Sequence, residues 1–174
     1  DVKSTKLLPT ATIDSVIDDV GGTSALTSGA STNDTLPTLT GTATPGTTVK
    51  VFDGDFYLGS ASAHLTTGVW TFVTPSTKPL SAGLHTLNVR AMDASNNLGE
   101  ATSFAINVIA PTVTHVAISG DAGLVNSTFN AGDTVTASLT MSEAVTVTGT
   151  PQLSLNIGGT PVQATYDSVN STPT

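Results

Sequence analysis

Apolar and polar residues alternate along most of the chain with a period of two. Leu87, Val89 and Ala91 share one parity, while Asn88 and Arg90 fall on the other. Successive side chains of a β-strand point to opposite faces, so this pattern predicts a strand with one face toward a core and one toward water. Helical periodicity is scarce, and the pattern therefore predicts an all-β fold.

Seven such segments lie in the first part of the chain, and a glycine- and serine-rich stretch at 21–32 is predicted to be a loop. Pro45-Gly46 and Asp53-Gly54 are typical turn dipeptides between strands. Seven short strands with regular turns are enough for an immunoglobulin-like (Ig-like) β-sandwich. The predicted strands are 12–17, 37–43, 48–52, 56–62, 70–74, 84–92 and 103–108.

A junction between two modules is predicted at Ile109-Ala110-Pro111. The preceding residues 104–108 have the pattern of a closing strand, and 112–118 have that of a new first strand. Pro111 has no amide donor and suits a linker between sheets. The predicted architecture is two tandem Ig-like sandwiches, one at 1–109 and one at 110–174.

The second module shows the clearest alternation. Val135, Ala137, Leu139 and Met141 share one parity, and threonine and serine occupy the other. Only about five strands are recognisable, whereas a sandwich of this type needs roughly seven. We therefore expect the second sandwich to be truncated or split, or completed by sequence outside this chain.

Composition narrows the functional classes. The formal net charge is −8 and the pI is near 4.3, which disfavours nucleic acid as a partner and suits cations. Cysteine is absent, so neither disulfides nor thiolate chemistry are available. No window is apolar enough to span a membrane. Residues 1–20 lack the pattern of a secretion signal, and we expect a fragment or a mature segment.

Several longer stretches have a specific order of residues that covers most of the chain. They are Asp18-Asp19-Val20-Gly21, Thr32-Asn33-Asp34-Thr35-Leu36-Pro37, Gly68-Val69-Trp70-Thr71-Phe72, Ala91-Met92-Asp93-Ala94-Ser95-Asn96-Asn97, Ala131-Gly132-Asp133-Thr134-Val135 and Gly149-Thr150-Pro151-Gln152-Leu153. Together they resemble the bacterial Ig-like extender repeats of giant RTX-type surface adhesins. The resemblance implies an extracellular, type I-secreted repeat protein whose domains are stiffened by calcium and act in cell adhesion or biofilm formation.

Threading the strands as a sandwich places six acidic or amide residues near one end of the first module. Clustered carboxylates without a nearby cation repel one another, and calcium prefers oxygen ligands of this kind. The alternative is that these side chains only cap turns through local hydrogen bonds. The candidate calcium ligands at this end are Asp18, Asp19, Asn33, Asp34, Asp53 and Asp55.

A second candidate lies at the opposite end, where Asp93 and Asn96 begin a stretch that superficially starts like a calcium loop. An EF-hand is excluded, because its sixth position would be Leu98 and its twelfth Phe104. The residues are compatible with an ion shared with a preceding repeat or with a plain Asx-turn.

Enzymatic activity is not expected. The chain has no G-x-S-x-G elbow, no H-x-x-x-H spacing, no Walker loop and no dinucleotide-binding fingerprint. Trp70 is predicted to fill the core, and His85, which shares the parity of Leu87, is predicted to be structural.

The leading hypothesis is a non-catalytic extender segment that spaces a distal binding domain from the bacterial surface, with neighbouring Ig-like repeats of the same chain as its partners. The alternative is a ligand-binding module for a glycan, a peptide or a host receptor, possibly as part of a split domain. The identity of such a host or surface ligand is not contained in the sequence.

Overall fold

Over the residues that it describes, a computed structural model shows this alternation of apolar and polar positions as thirteen β-strands. The structure describes residues 7–120, 134–143, 145, 147–157, 159–169 and 171. The chain divides into two compact units, Asp1–Ala110 and Pro111–Thr174. In the described ranges no helix is long and apolar enough to cross a membrane.

Within residues 7–110, the first unit contains nine strands in two sheets. They are β1 (Ser15–Asp18), β2 (Ser24–Leu26), β3 (Ala30–Thr32), β4 (Thr38–Thr42), β5 (Thr48–Asp53), β6 (Phe56–Ser62), β7 (Val69–Val73), β8 (Gly83–Met92) and β9 (Thr102–Val108). One sheet has the order β2-β1-β4-β7, and the other has the order β3-β9-β8-β5-β6. All neighbouring strands are antiparallel except β3 and β9, which run parallel. This all-β, two-sheet arrangement is that of an Ig-like sandwich.

One core lies between the two sheets. The parity predicted for β8 is confirmed, because Leu87, Val89 and Ala91 are fully buried. Trp70 is 1% exposed, which confirms its predicted place in the core. Phe104 is half-buried and packs against this core. The burial of alternate residues from both sheets supplies the main stabilisation of the unit.

The stretch at 21–32, predicted to be a loop, differs from the prediction because it contains β2 and β3. β2 pairs with β1 in one sheet, and β3 pairs with β9 in the other. The chain thus changes sheets between β2 and β3, through a turn in which Gly29 has a φ of 90°. Short strands of this kind owe their conformation to their neighbours, since alanine and serine, which make up most of both strands, have little β-propensity.

The two termini of the sandwich lie at opposite ends of β9. Thr102, at the start of β9, donates its hydroxyl to the carbonyl oxygen of Ala11 at 2.7 Å. Ile109, just after β9, donates its amide to the carbonyl oxygen of Thr32 at 2.8 Å. A strand of seven residues spans about 20 Å, so the chain enters the unit at one end and leaves it at the other.

The described part of the second unit consists of two hairpins. β10 (Val113–Gly120) pairs with β11 (Val135–Met141), and β12 (Gln152–Ile157) pairs with β13 (Thr160–Thr165). No side chain described in this unit is fully buried. The predicted repeat-like residues 131–133 lie outside the described ranges.

A substitution at Gly41 tests the packing of Trp70. A Cβ at Gly41 would overlap the carbonyl oxygen of Thr12 and lie 2.7 Å from Cζ2 of Trp70. We expect G41A to lower the free energy of unfolding by about 2–4 kcal/mol, because backbone and indole must both move. Urea unfolding followed by the fluorescence of Trp70, the only tryptophan, measures this.

The control is G54N. Gly54 has a φ of 54° and no atom within 4 Å of an added Cβ, and asparagine tolerates that conformation. It should change the free energy of unfolding by less than about 1 kcal/mol. Equal stabilities of G41A and the unmodified chain would contradict this packing.

Candidate functional site

Two of the predicted calcium ligands meet at the end of the sandwich where the chain leaves it. Asp18 is the last residue of β1, and Asp34 lies two residues after β3. The Thr32 hydroxyl donates to Oδ2 of Asp18 at 2.8 Å and accepts the amide of Asp34 at 2.9 Å. The carbonyl oxygen of Thr32 also accepts the amide of Ile109. This acidic end therefore adjoins the first residue of the linker.

Asp34 is the unusual member of this group. Its side chain is 2% exposed, and Oδ1 accepts the amide of Leu36 at 2.7 Å. Oδ2 makes no hydrogen bond of regular geometry, although the amide of Asp19 favours the ionised form of the carboxyl. Burial raises the pKa of Asp34 above its ordinary value of 3.8, the charges of Asp19 and Asp18 add to the rise, and the amides of Leu36 and Asp19 oppose it. A cation next to Oδ2 would compensate this buried charge.

The other residues at this end supply oxygen atoms. Oδ1 of Asp18 accepts the amide of Val20 at 2.9 Å, as in an Asx-turn. Asp19 is exposed, and Asn33 is half-buried. Carboxylates, an amide and a hydroxyl fit the ligand preferences of calcium. In the described part of the chain, however, no three acidic or histidine side chains converge as a preformed metal centre. A bound ion would need carbonyl oxygens or water as further ligands.

Asp53 and Asp55 are not gathered with these acids into one centre. Oδ2 of Asp53 lies 2.7 Å from Nδ1 of His85, and Nε2 of His85 lies 2.7 Å from the carbonyl oxygen of Ser81. Both ring nitrogens of His85 thus face an oxygen, in accord with its predicted structural role. Asp55 is exposed in the turn between β5 and β6.

Asp93 and Asn96 lie in the turn that follows β8, at the opposite end of the sandwich. Oδ1 of Asp93 accepts the amides of Ser95 and Asn97, each at 2.9 Å, and the Asn97 side-chain amide lies 2.7 Å from both carboxylate oxygens. Asn96 has a φ of 62°, the left-handed conformation that asparagine tolerates. The geometry is that of an Asx-turn.

A shallow cleft of about 530 Å³ is lined by residues that include His64, Leu65 and Trp70. His64 uses Nδ1 to accept the amides of Thr66 and Thr67, each at 3.3 Å, and so caps a local turn. Hydroxyl side chains line the cleft, but no carboxylate does. A nucleophile–histidine–acid arrangement is therefore not formed in this cleft.

Sequence reasoning missed one cluster, which lies on the hairpin of β5 and β6. Phe52, Phe56 and Tyr57 are three of the eight aromatic residues of the chain. The rings of Phe52 and Tyr57 are 5.4 Å apart, and the Lys50 ammonium lies 5.4 Å from the centre of the Tyr57 ring. The signal in the sequence is three aromatics within six residues, close to a lysine.

The comparisons with known proteins agree with the fold. A family model of the bacterial Ig-like domain matches residues 8–108, which is more than half of the chain. The chain therefore belongs to the bacterial Ig-like domain family. No curated protein matches it. No solved structure matches it either.

The buried carboxyl of Asp34 makes stability depend on pH. The pKa of Asp34 is raised in the folded state. The contribution of the protonated carboxyl to the free energy of unfolding is therefore complete below about pH 3.8, and it is lost as the pH rises through the raised pKa. At pH 7, in chelator, D34N should therefore melt at a higher temperature than the unmodified chain. This difference should shrink toward pH 3, as measured by thermal melts of both chains across that range.

E100Q is the matched control, since it also removes one negative charge, but from an exposed position. It should not reproduce the pH-dependent difference. A D34N chain that melts below the unmodified protein at pH 7 in chelator would show that the carboxylate stabilises the fold without any ion.

Proposed function

We propose that this chain is a non-catalytic extender segment of a calcium-stabilised bacterial surface adhesin, of the RTX type that is secreted by a type I system. It would space a distal binding domain from the cell and support adhesion or biofilm formation. Membership of the bacterial Ig-like family supports a structural role outside the cell. The observation that carries the proposal is the placement of the termini of the sandwich at opposite ends of β9.

Opposite termini suit a spacer because each module then adds its own length to the array. A pulling force along the chain would also act along β9, which is hydrogen-bonded on one side to β3 and on the other to β8. Strands loaded along their length must break several hydrogen bonds together. The module is therefore suited to transmit tension between neighbouring repeats.

Asp34 supports the calcium part of the proposal. A buried carboxylate with an unpartnered oxygen costs stability unless it is paired. Asp18, Asp19 and Asn33 are the further candidates to hold the ion, and calcium would supply the missing positive charge. Low calcium before secretion would leave the chain less stable, and calcium outside the cell would favour the folded state by mass action.

A structural role is also supported by the contacts of two histidines. His85 is engaged by Asp53 and Ser81, and His64 caps a turn. Neither histidine adjoins a nucleophile and an acid in a common cleft. The proposal therefore assigns no reaction to the chain.

Thermal melting in chelator and in millimolar calcium tests the metal. Calcium should raise the melting temperature of the first unit, since an ion at about 100 times its Kd adds about 2.7 kcal/mol, or roughly 10–20 °C for a domain of this size. D34N should abolish the shift, D18N should reduce it, and E100Q should keep it. The fluorescence of Trp70 reports on this unit alone.

Two outcomes would count against this site. If calcium leaves the melting temperature of the unmodified chain unchanged, the calcium part of the proposal fails. If D34N retains the full shift, the ion binds elsewhere, and variants at Asp53, Asp55, Asp93 and Asn96 locate it.

Single-molecule pulling from the two ends of the first unit tests the extender role. The unit should unfold in one step and lengthen by about 33 nm, because roughly 100 residues at about 3.5 Å each span about 35 nm and the folded unit already spans about 2 nm along β9. Calcium should raise the unfolding force of the unmodified chain but not that of D34N. Gradual unfolding at low force in both conditions would argue against a load-bearing module, whatever the melting curves show.

A further inference from the structure

The outer face of the five-stranded sheet carries aromatic and cationic side chains. Val49 and Val51 of β5 are fully buried, so Lys50 and Phe52 lie on the opposite, outer face. The register places Phe52 beside Tyr57 on β6, and Lys50 beside Arg90 on β8. These four residues therefore form one continuous outer patch, which we call the β5–β6 face.

A register shift between Val51 and Phe52 creates this arrangement. Without it, Phe52 would pair with Leu58, yet Leu58 is 3% exposed and packs in the core. The shift lets Leu58 stay inside while Tyr57 stands outside, opposite Phe52. β-bulges commonly redirect side chains at sites of function.

On this face Tyr57 remains open to solvent, at 40% exposed, and Phe52 is half-buried. The Lys78 ammonium lies 5.3 Å from the centre of the Tyr57 ring and 5.5 Å from that of Phe56. It also donates to the carbonyl oxygens of Tyr57 and Leu58, at 2.8 and 3.1 Å. Lys78 thus covers the edge of β6 and holds the two rings in place.

Positive charge is concentrated on this face of an acidic protein. The chain has five lysines and arginines, of which Lys3 and Lys6 lie outside the described ranges. The other three lie in or beside this patch: Lys50 and Arg90 are part of it, and Lys78 adjoins the Tyr57 ring. Lys50 and Arg90 are directly opposite neighbours on β5 and β8, a position at which like charges are unfavourable. The Nε of Arg90 donates to the carbonyl oxygen of Gly99 at 2.8 Å, so an anionic ligand would use the remaining guanidinium donors of Arg90 together with Lys50.

We propose that the β5–β6 face binds a carboxylated polysaccharide, with a sugar ring on Tyr57 beside Phe52 and a carboxylate at Lys50 and Arg90. The weakly positive C–H groups of a sugar ring suit the negative face of an aromatic ring. The exposed Ser60, which pairs with Lys50 across the strands, adds a hydroxyl for hydrogen bonds with the sugar. The site depends neither on calcium nor on the extender role.

Charge complementarity favours this ligand over nucleic acid. Aromatic rings with cations also bind single strands, but a net charge of −8 opposes a polymer that carries a phosphate on every nucleotide. A polysaccharide with sparser carboxylates experiences less of that repulsion. It still makes use of the local positive patch.

A titration of the isotope-labelled chain with a partly methyl-esterified oligogalacturonide, whose carboxylates are sparser than the phosphates of a nucleic acid, tests the site in low salt and chelator. Amide shifts in ¹H–¹⁵N spectra should change around Lys50, Phe52 and Tyr57. We expect Y57A to weaken binding about tenfold, since one aromatic contact and one cation–π contact are lost. K50Q should weaken it at least threefold.

Y166A is the matched control, because Tyr166 is 41% exposed in the second unit and its loss should leave binding unchanged. K50Q separates binding from folding: it removes the repulsion with Arg90 and should keep the melting temperature within about 2 °C. A neutral dextran oligomer should bind at least tenfold more weakly than the oligogalacturonide.

Several results would overturn the proposal. The amide shifts could stay unchanged when the oligogalacturonide is added. Y57A and Y166A could bind it with equal affinity, or dextran could bind as tightly as the oligogalacturonide. Tighter binding of oligothymidylate, with the same sensitivity to Y57A, would identify nucleic acid instead. Self-association that Y57A abolishes, measured by sedimentation, would identify the face as an interface between copies of this chain.

Discussion

The fold of the first unit depends on the burial of one apolar face of each sheet against the other. Trp70, the largest fully buried side chain, fits only because Gly41 presents no side chain to its indole ring. This packing orients β4 and β7 against the five-stranded sheet, and it leaves the outer faces and the two ends of the sandwich for polar groups. Every candidate site described above lies in one of those outer regions.

Asp34 is an exception to the separation of an apolar interior from polar outer regions, because its carboxylate is buried at the end of the sandwich without full hydrogen bonding. Asp53 and Asp93 show the usual arrangement, in which a histidine or local amides satisfy the oxygens. The same residue type thus serves two purposes: closing turns and accumulating negative charge beside the linker. The acidic end is connected to the linker through Thr32, which contacts both Asp18 and Ile109. The β5–β6 face is a separate surface with cationic and aromatic side chains.

Much of the fold could be predicted because the strand period is a local property of the chain. The parity of Leu87, Val89 and Ala91 predicted their burial, and the burial of Trp70 was predicted as well. The segment at 21–32 could not be assigned correctly, since β2 and β3 exist through pairing with β1 and β9. The candidate site was predicted only in part. Asp18 and Asp34 meet around Thr32, whereas Asp53 is held by His85.

By itself, the sequence determined the all-β character, the apolar face of each long strand, and the excess of acid over base, because these depend on residue type and on a period of two. Only the tertiary structure decided which acids are buried, which oxygens lack partners and which cations share a face. Those properties arise between strands that are distant in sequence, as for Asp18 with Thr32 and for Lys50 with Arg90. The register shift beside Phe52 was also decided by the tertiary structure, because it keeps Leu58 packed in the core.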